Sequence, residues 1–181
     1  MTSTLDTIAA RFSSRSFTGD PVPVDILQAI VTAGLHAPSA MNRQPWRLIV
    51  ISKKEEVDAI GAVGLERLKD ADPAGYERIL GRGGKLLYDA PAMIVVALAP
   101  QPGAFSADLD GGILTSHLLL AARDLGVDSC TVGLAGFAFA DETLKTKYIP
   151  AGFEFGIAVL LGYATAPGTG HAIDESKVIW A

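Results

Sequence analysis

The sequence predicts an α+β fold: one mixed central sheet of about four strands surrounded by helices. Three observations carry this. Four short apolar runs, at residues 46–51 (WRLIVI), 91–98 (PAMIVVAL), 127–132 and 154–161 (EFGIAVLL), have strand length and composition. The segments between them repeat apolar residues at helical spacing. There is no internal repeat, low-complexity tract or linker, and 181 residues suit a single domain, 1–181.

The elements follow in order. Residues 5–12 read as a short helix with Leu5, Ile8, Ala9 and Phe12 on one face. Pro21 and Pro23 break the chain, and residues 24–35 restart as a helix with Ile26, Leu27, Ile30 and Val31 inward. Residues 53–69 form an amphipathic helix. Residues 74–88 form a weaker one, interrupted at Gly81, Gly83 and Gly84. The run at 91–98 is almost wholly apolar and suits a strand covered on both faces. Residues 107–125 are apolar nearly all round the helix, which fits either a central core helix or a dimer interface. Asp108 and Asp110 at its start read as capping residues. Asp141 caps a short helix to residue 148, and residues 173–181 read as an extended segment.

Composition narrows the function classes. The net charge of −5 and pI near 5.1 argue against nucleic acid and anionic membranes as partners. No apolar stretch is long enough to span a bilayer. Residues 1–10 lack a basic start and a long apolar run, so a cytoplasmic protein is expected. The single cysteine, Cys130, allows neither an intramolecular disulfide nor a cysteine metal cluster. His36 and His117 lack partners at metal-ligand spacing, so no metal is expected. No residue stands out as an obligatory acid or base.

Two stretches carry chemistry. Arg11-Phe12-Ser13-Ser14-Arg15-Ser16 packs two guanidinium groups and three hydroxyls into six positions. A phosphate rewards such a cluster with charge-assisted, bidentate hydrogen bonds; a solvated helix end is the plainer reading. Pro38-Ser39-Ala40-Met41-Asn42-Arg43-Gln44-Pro45-Trp46 is a loop rich in amide and hydroxyl groups that runs into an apolar strand. Asn42 and Gln44 can read the edge of a heteroaromatic ring; an ordinary helix-to-strand loop is the alternative. The stretches flank one helix about 25 residues apart and could converge. A phosphate-bearing cofactor with a large ring fits both, flavin mononucleotide (FMN) best.

These stretches resemble the signatures of the FMN-dependent nitroreductases. The first is similar to the family's Arg-x-Ser-x-Arg/Lys motif and the second to its Pro-Ser-x-x-Asn-x-Gln-Pro-Trp motif. Asp89-Ala90-Pro91, residues 110–126 (DGGILTSHLLLAARDLG) and residues 149–164 agree in order and spacing. The resemblance implies a nitroreductase-like α+β fold and a homodimer with a domain-swapped C-terminal tail. It implies that Arg11, Phe12, Ser13 and Arg15 bind FMN at the phosphate, ribityl and pyrimidine oxygens. Pro38, Ser39, Ala40, Met41 and Asn42 would line the isoalloxazine from the partner subunit, and Gln44 would meet the phosphate end or the ribityl chain. Leu134, Ala135 and Gly136 match the loop whose backbone N–H faces flavin N5. The usual C-terminal Arg or Lys is missing, and His171 stands in its place, either on the phosphate or as a surface histidine. Lys85 is the only plausible cation before the central strand. The implied activity is ping-pong hydride transfer from NADH or NADPH to a small acceptor such as a nitroaromatic or quinone, with a flavin-binding carrier or sensor as the alternative.

Overall fold

A computed structural model describes residues 3–102 and 106–180. Eleven helices and strands are named: α1 Thr4–Ala10, α2 Val24–Leu35, β1 Trp46–Ile51, α3 Lys54–Ala71, α4 Pro73–Leu80, β2 Ala92–Leu98, α5 Ala107–Asp124, β3 Asp128–Val132, α6 Gly136–Phe139, α7 Glu142–Tyr148 and β4 Glu154–Gly162. The strands form one sheet in the order β1-β2-β4-β3. Every pairing within it is antiparallel, so the expected mixed character is confined to an isolated parallel bridge between Ser13 and Ser129 beside β3.

Side-chain alternation divides the core into two layers, because successive strand residues point to opposite faces. Met93, Val95 and Ala97 of β2 pack with Val57, Ile60 and Leu68 of α3 and with Ala138 and Phe139 of α6. Ala92, Ile94, Val96 and Leu98 pack on the other side with Leu27 and Ile30 of α2 and Leu114, Leu118 and Ala122 of α5. All seven β2 residues are therefore buried. The molecule is a sandwich of α2 and α5, the sheet, then α3 and α6.

Three helices differ from the sequence expectation. The segment at 74–88 stays helical only to Leu80; Gly83 and Gly84 then adopt positive φ (95° and 70°) and turn the chain toward β2. Helix α5 is buried along one stripe only, through Asp110, Gly111, Leu114, Thr115, Leu118 and Ala122, while Leu109 is 66% exposed. In α1 Leu5 and Ile8 of the predicted apolar face are exposed, and Thr7 is the buried residue. Together α1 and α5 present apolar side chains that this chain leaves uncovered. The C-terminal segment is extended apart from one 3-10 turn at Glu175–Lys177, and pairs with no strand; Ala181 lies outside the described residues.

Gly162, at the end of β4, lets two other segments close on the sheet. A Cβ there would lie 2.6 Å from Pro91 Cδ and 2.8 Å from Phe17 Cδ1. Phe17 is buried and its N–H donates to the Tyr88 carbonyl at 3.2 Å, anchoring the end of the 11–17 stretch. Gly162→Ala should destabilise the fold by about 1–3 kcal/mol through overpacking. A denaturant midpoint equal to that of the parent would contradict this packing.

Candidate functional site

The 11–17 stretch runs beside β3. Ser14 donates its N–H to the Ser129 carbonyl (2.9 Å) and its hydroxyl to the Ser16 carbonyl (3.0 Å), which fixes the backbone. Ser14 is buried, Arg11 and Ser13 are half-buried and Arg15 is exposed. The Arg11 guanidinium reaches the Ser13 hydroxyl at 3.5 Å. Neither Arg11 nor Arg15 is ion-paired with a carboxylate among the described residues. Both bear on Cys130 of β3: burial pushes its thiol pKa up, and the positive charges of Arg15 and Arg11 work against that rise. Two guanidinium groups without a carboxylate partner thus stand close in sequence on a fixed backbone beside β3.

Other expected residues sort by place. The Phe12 ring lies beneath the Arg123 guanidinium (5.6 Å), with the backbone of Gly168 packed against it. His171 lines a cavity of about 410 Å3 with Arg11, Ser116, Leu119 and Leu120, so the structure brings it to Arg11. Leu134 and Ala135 lie in a 3-10 turn, Gly133–Ala135, directly after β3, and Gly136 opens α6. Ala135 is fully buried, which leaves only backbone there to meet a ligand, whereas Leu134 is partly exposed. Lys85 is instead ion-paired with Asp89 (2.9 Å).

The 38–44 loop lies elsewhere. Pro38 is exposed, and a 3-10 turn over Ala40–Asn42 follows Ser39. Met41, Asn42 and Gln44 have φ of 52°, 54° and 50°. Left-handed backbone at a residue other than glycine costs on the order of 1–3 kcal/mol, and such strain concentrates where a ligand is held. The loop is braced internally: Gln44 N–H donates to Ser39 Oγ (2.9 Å) and Gln44 Nε2 to Asn42 Oδ1 (2.8 Å). Asp110, expected as a cap of α5, accepts the Ala40 N–H at 3.0 Å; Ser106 caps the helix through the Leu109 N–H (3.1 Å). The sequence signal for Asp110 was a carboxylate within an apolar helix.

The two stretches do not converge within one chain. The 38–44 loop is tied to Asp110 at the start of α5, while α1 is tied to its end, where the Thr7 hydroxyl donates to Asp124 (3.3 Å). Fourteen residues of helix separate Asp110 from Asp124, about 21 Å at 1.5 Å per residue. Among the described residues no group of three or more His, Cys, Asp or Glu could hold a metal, and no helix is long and apolar enough to cross a membrane.

The layered α+β architecture is that of solved FMN-bound nitroreductases. One from Desulfitobacterium hafniense is 40% identical, with a TM-score of 0.92 covering 100% of this chain and 99% of that one. Another, from Bacteroides fragilis, shares the fold at 23% identity, with a TM-score of 0.85 over all of both chains. An NADH dehydrogenase of Thermus thermophilus is 51% identical over 191 residues, covering 94% of this chain and 92% of the relative. The sequence profile of the nitroreductase family matches residues 8–163. This chain belongs to the nitroreductase family of oxidoreductases.

Proposed function

We propose that the chain is a single FMN-binding domain that oxidises NADH or NADPH and reduces a small acceptor, such as a nitroaromatic or a quinone, in alternating ping-pong half-reactions. The observation that carries this reading is the uncompensated pair Arg11 and Arg15 on the fixed backbone beside β3, in a chain 40% identical to an FMN-bound nitroreductase. FMN, when bound, supplies the two-electron transfer between nicotinamide and acceptor.

The chain's own residues bind and orient. Arg11 and Arg15 would hold the phosphate dianion, since guanidinium forks make the strongest contacts to it. Ser13 adds a hydroxyl and His171, beside Arg11, a ring nitrogen. Asn42 and Gln44, with the backbone of residues 38–41, would read the polar edge of the ring. The backbone of residues 134–136 would face its central part, with Phe12, whose ring lies beneath Arg123, anchoring the chain between Arg11 and Ser13. No side chain is asked to act as acid or base.

This assignment requires two chains. The segments that carry the two stretches are tied to opposite ends of α5, at Asp110 and Asp124, which lie about 21 Å apart along the helix. If α5 pairs antiparallel with its copy about a twofold axis, the Asp110 end of one chain meets the Asp124 end of the other. The 38–44 loop of one protomer then reaches residues 11–15 of its partner. The surface for such pairing exists: α1 and α5 leave Leu5, Ile8 and Leu109 exposed, with Ile113, Leu119 and Leu120 half-covered. In the tail, Ile173, Ile179 and Trp180 are 86%, 91% and 92% exposed. Such a tail suits addition to a partner's open sheet edge, where backbone hydrogen bonds secure it.

Purified protein should release FMN on denaturation, and mass spectrometry identifies it; an adenine-containing flavin would sink the reading. NAD(P)H oxidation should accelerate when a quinone is added. Bound flavin without turnover would instead mark a carrier or sensor. Arg11→Ala and Arg15→Ala should each weaken FMN binding by about 10- to 100-fold, the loss of one charge-assisted contact worth about 1.5–3 kcal/mol. Fluorescence titration of apo-protein measures this, and unchanged affinity in both variants would place the phosphate elsewhere.

Deleting residues 172–181 should lower both dimer stability and flavin occupancy, read by light scattering and the flavin-to-protein absorbance ratio. A truncated protein that stays dimeric and fully yellow refutes the tail exchange. A full-length monomer loaded with flavin refutes the shared site.

A further inference from the structure

Asp110 is only 3% exposed. Its Oδ1 accepts the Ala40 N–H at 3.0 Å, and its Oδ2 is buried without any hydrogen-bond partner among the described residues. A buried carboxylate short of a donor carries a desolvation cost that a neutral acceptor avoids. A plain backbone clamp needs no charge, so the charge at Asp110 calls for a reason.

The surroundings supply one. Ala40 opens the turn whose next residues, Met41 and Asn42, are left-handed, followed by left-handed Gln44. A hydrogen bond from N–H to a carboxylate is roughly twice as strong as one between neutral groups. It holds a backbone that would otherwise relax. The carboxylate lies in the first turn of α5, where the helix dipole stabilises negative charge. Gly111 seats this end of the helix closely: a Cβ there would be 2.9 Å from both Leu98 methyl carbons. Gly111 thus seats the helix on the sheet, and the neighbouring carboxylate ties the helix to the loop.

We propose that Asp110 is the positioning residue of the 38–44 loop. Its charge-assisted bond to the Ala40 N–H keeps Met41, Asn42 and Gln44 in the conformation that presents the Asn42 and Gln44 amides to the ring, a role that rests on the FMN site proposed above. Asp110 acts through Ala40 and touches no cofactor.

The test breaks the bond from each side. Asp110→Ala removes the acceptor. Ala40→Pro removes the donor and leaves the carboxylate; Ser39 before it is already extended (φ −141°, ψ 159°), as a residue preceding proline must be. In apo-protein, each variant should speed hydrogen exchange at the amides of Asn42, Arg43 and Gln44 by about tenfold or more. Each should also weaken FMN binding by about tenfold, and the double variant should be no worse than either single one, because both remove the same bond. Asp110→Asn, which keeps an acceptor oxygen but loses the charge, should give exchange between that of the parent and that of Asp110→Ala, about threefold faster than the parent.

Parent-like exchange in both single variants, or additive losses in the double variant, overturns the proposal. Parent-like exchange in Asp110→Asn, which would leave the charge without a role, does so as well. If Asp110→Ala does not fold, Ala40→Pro and Asp110→Asn decide alone: both must loosen the loop, the second by less than the first. If the parent protein binds no FMN, the proposed function falls, while exchange in the apo-protein still decides whether the clamp exists.

Discussion

The length of α5 is the constraint on which the candidate site depends. The helix packs its buried stripe against the sheet and α2, so its position is set by the core. Each end then holds a different functional segment. At the start, Asp110 fixes Ala40. At the end, Asp124 bonds Thr7, and Arg123 lies over Phe12 while pairing with Asp128 of β3 (3.2 Å). Neither segment can slide toward the other without unpacking Leu114 and Leu118, both fully buried. One chain therefore holds the two segments at a fixed separation. In the proposed assembly a cofactor that contacts both would take them from two chains.

The legibility of the fold followed from how its elements are buried. Strand β2 was readable because burial on both faces demands an unbroken apolar run, and α2 because only one of its faces is covered. The sequence could not say which sides of α5 face this chain's core, because composition does not distinguish a core from an uncovered interface. The two motifs were legible as chemistry from residue type alone. Their separation was not, because sequence distance around α2 says nothing about the opposite ends of a third element. The left-handed residues Met41, Asn42 and Gln44 escaped notice for a related reason: propensity predicts relaxed backbone, and this loop is held by a carboxylate 70 residues away. For Asp110 the sequence predicts a cap, since a carboxylate in a first helical turn usually serves locally. Ser106 had already taken that role.

Many of the basic side chains are held in ion pairs. Lys54, Arg67, Arg78, Lys85, Arg123, Lys145 and Lys177 all have carboxylate partners within 4 Å. Such exposed pairs add little to stability, typically about 0–1 kcal/mol. Their consequence is that they neutralise charge locally. Arg11 and Arg15 have no such partner among the described residues, a feature they share with Arg47, Lys53, Lys69, Arg82 and Lys147. What sets Arg11 and Arg15 apart is their closeness in sequence on one fixed stretch of backbone, where two like charges act together on one anion in the proposed site.

The tail raises a question of coupling. Burying Ile173, Ile179 and Trp180 would contribute about 1.5–3 kcal/mol each, or about 5–9 kcal/mol together. Fixing roughly ten backbone residues costs about 1–2 kcal/mol apiece, on the order of 10–20 kcal/mol. The apolar contacts of the tail therefore do not order it alone. Backbone hydrogen bonds to an existing sheet edge help only modestly, about 0.5–1.5 kcal/mol each. An ordered tail thus needs a surface already held in place by another contact, and the apolar flank of α1 and α5 is the one the chain offers. In the proposed dimer, pairing of those helices comes first in the energetic hierarchy and the tail fastens what they assemble. FMN, bound between the half-sites, would then stabilise the assembly and the tail together, because it binds only the paired form.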